Sequence, residues 1–498
     1  MNDRRNSDES IVPSTSSNNA GAEPAAEAAE ERGSAKRNTV DPALPRTQKR
    51  KRKSLGLHGV REAARKDSKL VFNNLFHHLN PDLLYEAFNN LKKHAAVGVD
   101  EVTWHQYESN VGDNIAALHD RLHRGAYRAQ PSKRLWLSKP DGRKRPIGIA
   151  SLEDKIVQQA TVWVLQSIYE QDFIGFSYGF RPNRSTSQAL DALNVAICDR
   201  KVNWILDADI EGFFDAINHE WLIKFLEHRI GDNRILRLIR KWLTAGVSEE
   251  GQWTKGTVGT PQGAVISPLL ANVYLHYVFD LWVLWWRKSC CVGDVVVVRY
   301  ADDFVIGFEH HNEAERCLAD LHKRFAKFDL KLHSDKTRLI EFGKYAKRRR
   351  AQRGAGVPET FTFLGFTHVC AETLSQGRFV VHRYTIAKRM RATLARIKVS
   401  LRKRLHRPLG ETGRWLGQVV RGWLAYHGVP FNSVRINRFV AQVKRLWLMS
   451  LRRRSQRGRK RWTWERFSRI AEKYIPRPTI KQPYPHKRFR DRLKAGAV

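Results

Sequence analysis

An α+β fold is what the sequence predicts, and three stretches predict it. Val295–Phe308 places an apolar run before Tyr300-Ala301-Asp302-Asp303 and a second apolar run, Phe304 to Phe308, after it. Two short β-prone runs about a small polar break read as a hairpin. Trp204 to Ile210 alternates, with Trp204, Leu206, Ala208 and Ile210 on one face of a strand and Asp207 and Asp209 on the other. Elsewhere apolar residues recur at helical spacing, and beyond about residue 385 those helices are crowded with Lys and Arg.

Composition bounds the partners. The chain has 498 residues, 42% of them hydrophobic, enough for roughly two to four structural units with a sizeable core. Lys and Arg number 88 against 50 acidic residues, a net charge of +38. That excess is spread over several hundred residues, which favours nucleic acid over a membrane surface. Cys198, Cys290, Cys291, Cys317 and Cys370 show neither zinc spacing nor a disulfide framework, as expected of a reducing cytoplasm. No secretory leader and no run of about 18 apolar residues occurs, so no membrane partner is expected.

Taken in order, residues 1–55 read as a disordered tail ending in the basic cluster Lys49 to Lys53, either a solvated run or an RNA-contacting arm. Order is expected to begin near Leu70, with Leu70, Phe72, Leu75 and Phe76 on a short amphipathic helix. Asn80-Pro81-Asp82 reads as a helix start, and Trp104 to Leu122 as further helix. Pro140-Asp141-Gly142 is a turn between short apolar runs, flanked by Lys139 and Arg145, which alone read as ordinary exposed hairpin charge but also suit a triphosphate as point charge and fork. Ser151-Leu-Glu-Asp154 opens a core helix. Phe176 to Ser185 mixes aromatics with Arg181 and Arg184, as loops that stack bases or hold phosphates do, and equally as a loop packed by its own rings.

The acidic residues carry the chemistry. Taken alone, Asp302-Asp303 reads as well as a solvated turn. Asp207 and Asp209 on an adjacent strand make it a cluster, and like charges that close need protons or a cation. Two magnesium ions roughly 3.5–4 Å apart would neutralise it and serve phosphoryl transfer. Asn218 caps a helix bearing Leu222, Phe225 and Leu226, and Ile235 to Leu243 is another. Gly259 to Gly263 is a turn that lets backbone approach a ligand, with the Gln262 amide facing a sugar or base. Lys336 sits where it reaches the same cleft. Residues 344–358 read as a basic loop, and Phe361 to Phe366 as a β-prone run. From Ile386, the stripe Met390, Leu394, Ile397, Leu401 and Leu405 is flanked by Arg389, Arg391, Arg396 and Arg402, a helix suited to a phosphate backbone. Arg421 follows on a further helix, and Arg453 lies in a tail that mixes cations with Trp462 and Trp464.

Arg145-Pro-Ile-Gly-Ile, Gly175-Phe-Ser-Tyr-Gly-Phe-Arg-Pro, Leu206-Asp-Ala-Asp-Ile-Glu-Gly-Phe-Phe-Asp, Thr260-Pro-Gln-Gly with Ser267-Pro, Arg299-Tyr-Ala-Asp-Asp and Phe363-Leu-Gly-Phe occur in this order. Together they resemble the bacterial group II intron-encoded reverse transcriptases and maturases, over about residues 70 to 490. The stretch Val420-Arg-Gly-Trp-Leu-Ala-Tyr-His-Gly-Val-Pro is similar to that family's maturase segment.

The resemblance implies a right-hand polymerase: fingers over 68–205, a palm with a small antiparallel sheet over 206–370, a thumb and maturase segment over 385–450, and a basic nucleic-acid-binding end over 451–498. It implies catalytic Asp209, Asp302 and Asp303 with two Mg²⁺ ions, Mn²⁺ as an alternative, and the Ile210 carbonyl as a further ligand. Phe214 takes the place of the aromatic gate against a ribose 2′-hydroxyl. Lys139 and Arg145 would hold the triphosphate, Gln262 the incoming nucleotide, and Lys336 would protonate the leaving pyrophosphate. Arg181, Arg389, Arg396, Arg421 and Arg453 are the expected nucleic-acid contacts. The partners implied are intron RNA, an RNA template with a DNA primer, target DNA and dNTPs, in a cytoplasmic, nucleoid-associated setting; the oligomeric state stays open. No cysteine follows Cys370, so the resemblance does not extend to the paired-cysteine endonuclease of many relatives. A primer from elsewhere, such as a nascent strand at a replication fork, is then expected. A non-catalytic splicing cofactor and a reverse transcriptase domesticated for phage defence are the alternative readings.

Overall fold

The computed structural model describes residues 56–138, 144–249, 252–254, 256, 258–373, 377–456 and 458–489. The tail and basic cluster expected over 1–55, and Lys139 with the turn beside it, lie outside the described residues. Helices α1 (Leu57–Lys66), α2 (Pro81–Asn90), α3 (Trp104–Glu108) and α4 (Val111–His123) precede strands β1 (Ser132–Ser138) and β2 (Lys144–Ile149). Then come α5 (Leu152–Asp172), α6 (Thr186–Asp199), β3 (Trp204–Asp209), α7 (Phe213–Ala216), α8 (His219–Glu227), α9 (Asn233–Thr244), β4 (Val247–Glu249) and β5 (Gln252–Thr254). Helix α10 (Ser267–Leu275) passes through a π-helical turn, His276–Asp280, into α11 (Leu281–Cys290). Strands β6 (Val295–Tyr300) and β7 (Asp303–Phe308), helix α12 (His311–Ala326), β8 (Arg338–Glu341), α13 (Ala346–Gln352), β9 (Phe361–Phe363), β10 (Phe366–Glu372) and β11 (Phe379–Thr385) follow. Last are α14 (Ala387–Lys403), α15 (Leu409–His427), α16 (Ser433–Arg452) and α17 (Trp464–Tyr474).

The mixture of helices and small, mainly antiparallel sheets is an α+β fold. Its starts are written in cap residues: the Asn80 side chain accepts from Leu83 N, Ser151 from Asp154 N, and Asn218 from Glu220 N and Trp221 N. Four local expectations need correction. Ordered structure is already present before Leu70, in α1. Leu70 to Phe76 is not an amphipathic helix. Asp232 Oδ2 accepts from the backbone N–H groups of Leu75 and Phe76, at 2.8 and 2.9 Å, and Phe72 bridges to Ile230. Tertiary bonds thus claim the donors a helix would have used, and only one 3₁₀ turn, Phe76–His78, forms. The helix expected from Trp104 to Leu122 breaks into α3 and α4, where Asn110 leaves helical geometry and Ser109 Oγ donates back to the Gln106 carbonyl at 2.8 Å. The basic loop over 344–358 contains helix α13.

Among the described residues the strands form three sheets, in orders β2-β1-β4-β5, β6-β7-β3-β8 and β11-β10-β9. The second is central and covered on both faces. On one, Leu206, Ala208, Phe304 and Ile306 join a core containing Val273, Tyr274 and Phe279. On the other, Ile205, Val298, Val305 and Ile340 join Ala189, Leu193 and Ile197 of α6. Each such side chain, once fully buried, contributes about 1.5–3 kcal/mol. Register aligns Asp209 with Asp303 and Tyr300 with Asp303, so the carboxylates gather at one end of the sheet. Helices α14 to α17 have their own core around Leu416, Val420, Phe439 and Trp447, with Trp423 stacked on Phe439 at 3.7 Å. Tyr426 ties this unit to the β9–β10 turn by donating to the Leu364 carbonyl at 2.6 Å. Among the described residues no helix is long and apolar enough to cross a membrane.

One charged pair sits inside this apolar frame. Arg299, on β6, is fully enclosed and grips Asp280 at 2.7 and 2.5 Å. Its remaining N–H groups donate to Asn272 Oδ1 (3.1 Å), Ser177 Oγ (2.6 Å) and the Ala301 carbonyl (3.0 Å). Ala301 opens the β6–β7 turn at φ +58°, a left-handed conformation costing an L-residue roughly 1–2 kcal/mol. Gly179 passes so close to that turn that a Cβ there would lie 2.2 Å from Ala301 N. Removing one partner of such a pair leaves an uncompensated buried charge. Asp280→Ala is therefore expected to cost about 3–5 kcal/mol of unfolding free energy. The double variant Arg299→Met, Asp280→Leu should cost less than Asp280→Ala alone. Denaturant unfolding of the variants checks both; a double variant as unstable as the single would refute the reading.

Candidate active site

Five side chains from four elements converge at the end of the central sheet. Asp209 ends β3, and its partner in register, Asp303, begins β7. Asp302 occupies the turn between β6 and β7. Lys336, from the loop before β8, forms a short ion pair from Nζ to Asp209 Oδ2. That loop is anchored by His333 N donating to the Asp209 carbonyl at 2.9 Å and by Lys336 N donating to the His333 carbonyl at 3.2 Å. Arg145, near the start of β2, is close enough to favour the charged form of Asp302.

Burial raises the Asp302 carboxyl above the usual carboxylate range, and Asp209 raises it further; its own backbone N–H, Arg145 and Lys336 oppose the rise. Asp303 meets water at the mouth of the cleft but is hemmed in by protein. That enclosure, and then the fields of Asp302, Asp209 and Asp207, push its carboxyl up to about 7. Asp207 lies on the same face of β3 as Asp209; it pairs with Arg338 at 3.6 Å, and burial takes it to about 6 against that cation. Asp209, Asp302 and Asp303 thus form a group with Asp207 as a fourth, more distant carboxylate whose charge Arg338 offsets.

The donor set fits a hard divalent cation, since it is all oxygen and strained by its own negative charge. The bridge between Ile210 and Leu332 supports that fit. Its flanking bonds run from Glu211 N to the Lys331 carbonyl and from His333 N to the Asp209 carbonyl, each 2.9 Å, and so leave the Ile210 carbonyl out. Among the described residues no three carboxylate, imidazole or thiolate groups are drawn together as a finished metal cage. The Lys336 ammonium stands at Asp209 as its counter-charge.

Beside the carboxylates a second wall is built from backbone. Gly212, at φ +54°, turns the chain from β3 into α7 and presents Phe214 half-buried, its ring edge-on to Phe213. The turn over 259–263 is strapped to α7. Thr260 N donates to the Phe214 carbonyl at 2.7 Å, Gly259 N to the Ile217 carbonyl at 2.9 Å, and His219 Nε2 lies 2.6 Å from the Gly259 carbonyl. The Gln262 carbonyl accepts from Gly148 N at 2.7 Å, joining the same turn to β2. Arg145, Gln262 and Phe214 thus lie on three segments linked by backbone hydrogen bonds.

The cationic residues divide. Arg181 is buried, donating to Glu170 at 3.2 Å and to the Ile174 and Ser177 carbonyls at 2.8 and 2.7 Å. Its assignment as a nucleic-acid contact is corrected: the loop's own carbonyls consume the guanidinium. Arg389, Arg396, Arg421 and Arg453 are exposed and have no carboxylate partner among the described residues. Arg299, Asp280, Asn272 and Ser177 escaped sequence reasoning. A signal existed, since an arginine after four valines on a buried strand demands an acid.

Residues 137–368 match the family described as reverse transcriptase (RNA-dependent DNA polymerase). Protein YkfC of Escherichia coli (strain K12) is 33% identical over 277 residues, which is 49% of this chain and 71% of that protein. Group II intron-encoded protein LtrA of Lactococcus lactis subsp. cremoris is 37% identical over 208 residues, 41% of this chain. Nuclear intron maturase 4, mitochondrial, of Arabidopsis thaliana is 25% identical over 239 residues, 47% of this chain. The matched segments span 34% and 29% of those two relatives, so likeness to them covers about a third of their length.

The raised Asp303 carboxyl has a consequence for stability. The folded protein holds this proton more tightly than the unfolded chain, where the group titrates near 3.8. The stability so gained is fully present below the unfolded value and is lost as pH rises through about 7. Asp303→Asn removes that dependence. In EDTA its melting temperature should gain on the parent's as pH rises from about 5 to 8. Thermal melts across that range check it; parallel curves for the two proteins would refute it.

Proposed function

The chain belongs to the reverse transcriptase family, in the branch of group II intron-encoded proteins and maturases, and from that membership we propose a specific chemistry for its site. It copies RNA into DNA from a primer 3′-hydroxyl and binds its intron RNA to assist splicing and mobility. The observation that carries this reading is the meeting of Asp209, Asp302 and Asp303 at one sheet end, beside Arg145 and Lys336. A right-hand arrangement accommodates it: fingers over 68–205, palm over 206–370, thumb and maturase segment over 385–450, and a basic end over 451–498.

Asp209, Asp302, the Ile210 carbonyl and, less directly, Asp303 would hold two Mg²⁺ ions, or Mn²⁺, which supply Lewis-acid stabilisation of the charge developing on phosphorus and on the attacking and leaving oxygens. The protein's own groups do the rest. Arg145, with Lys139, grips the triphosphate of a dNTP, using a forked donor and a point charge. Gln262 contacts the sugar or base, and its turn is held by the Gly148 and Thr260 backbone bonds. The Phe214 ring would act as the gate against a ribose 2′-hydroxyl, favouring deoxynucleotides. The primer oxygen bonds to the α-phosphorus and the bond to pyrophosphate breaks. Lys336 exchanges Asp209 for the pyrophosphate and gives it a proton. Arg389, Arg396, Arg421 and Arg453 hold the phosphate backbone of RNA.

Primer extension with dNTPs on an RNA template tests the site. Asp302→Asn should lower the rate at least about a thousandfold, since several kcal/mol of charge stabilisation depend on it. Extension at parental rate by Asp302→Asn would refute the assignment. Phe214→Val should raise ribonucleotide incorporation relative to deoxynucleotide by about tenfold or more. Unchanged discrimination would remove Phe214 from the sugar site.

A further inference from the structure

A cleft of about 520 Å³ lies far along the chain from the catalytic aspartates, between α15 and the segment over 476–488. Its lining includes Arg421, Leu424, Ala425, Lys481, Gln482 and Pro483. We propose that it is a pocket for one unpaired nucleotide of RNA, the base held between its apolar walls and the phosphate on Arg421 and Lys481.

The outer wall is built and anchored. Lys481 N and Gln482 N both donate to the Gly428 carbonyl, at 2.7 and 3.0 Å. Gln482 Nε2 donates to the Ala425 carbonyl at 2.9 Å. Further on, Arg488 Nη2 donates at 3.1 Å to Asp191, a fully buried carboxylate on α6 that also takes Arg383. The wall is thus fixed at both ends before any ligand arrives, so little ordering is left to binding.

Chemistry names the occupant. Arg488 shares the Asp191 carboxylate with Arg383, whereas Arg421 and Lys481 are exposed and have no carboxylate partner among the described residues. The cleft therefore offers two uncompensated cations to an anion. Leu424, Ala425, Pro476 and Pro483 give it apolar sides against which a planar ring can lie. Cations beside apolar walls suit a nucleotide, which brings a phosphate and a flat ring, and the size lies within the ordinary range of ligand pockets, about 300–1,000 Å³. RNA, among polyanions, is named because of the proposed function.

Photocrosslinking tests the pocket without polymerisation. A short unstructured oligoribonucleotide carrying one 4-thiouridine is irradiated with the full chain in EDTA without dNTPs, and crosslinked peptides are mapped by mass spectrometry. The peptide spanning 476–488 should be labelled. Ala425→Trp, which fills the cleft from an exposed position, should lower that label about tenfold at unchanged melting temperature. Arg421→Glu with Lys481→Glu, both exposed, should do the same if Ala425→Trp fails to fold. Labelling confined to other peptides, or a label at 476–488 indifferent to these variants, overturns the proposal. Stronger labelling there by the matching oligodeoxyribonucleotide overturns the assignment to RNA. Neither result bears on whether Asp302 supports DNA synthesis.

Discussion

The enclosed pair of Arg299 and Asp280 is the constraint on which the carboxylate-bearing end of the central sheet depends. Taking both charges out of water costs several kcal/mol per ion, recovered only when geometry is good and the remaining donors are used. Here they are used: the guanidinium makes five hydrogen bonds, to Asp280 twice, Asn272, Ser177 and Ala301. Each partner belongs to a different stretch. Asn272 lies on α10, Asp280 on the π-helical turn, Ser177 on the aromatic loop and Ala301 in the turn that carries Asp302. The arrangement that satisfies the arginine is therefore the arrangement that aims the turn. A π-helical turn at Asp280 fits this view, because the extra residue per turn is an inserted adjustment that brings the acid to the guanidinium.

The same network explains why loop 176–185 is conformationally committed. Tyr178 N donates to the Arg299 carbonyl, Arg299 N donates to the Phe176 carbonyl, and Asn272 Nδ2 donates to the Gly179 carbonyl. Arg181 then secures the loop from its other side through Glu170. A loop that looked suited to stacking bases is instead the bracket behind the turn, with Tyr178 and Phe176 buried.

Much of this was legible in the sequence, and the failures share one cause. The hairpin at Asp302, the alternating strand ending at Asp209, the capped helices after Asn80, Ser151 and Asn218, and the approach of Lys336 all follow from local patterning. Local pattern is what periodicity and cap residues encode. Arg181 and the Leu70 to Phe76 segment went astray because distant groups decided them: Glu170 and backbone carbonyls in one case, Asp232 in the other. Composition sees a charge but not its partner. A cation beside aromatics reads as a nucleic-acid contact until a carboxylate is found within reach. Asp207 shows the converse, an acid among acidic neighbours whose cation, Arg338, lies far along the chain.

Two kinds of ion pair therefore divide the labour at the site, and exposure decides which is which. Arg299 and Asp280 are wholly enclosed, so breaking the pair strands a charge and the pair stays put. Lys336 with Asp209, and Arg338 with Asp207, are half open to water, where a pair is worth only about 0–1 kcal/mol. Such pairs can be exchanged at little cost when a more highly charged partner arrives. On the proposed reading, the triphosphate of a nucleotide would be such a partner for Lys336, and a divalent cation for Asp209. The resting site is thus a rigid mount carrying loosely held counter-charges: what must not move is buried, and what must change partners during a reaction is left within reach of water.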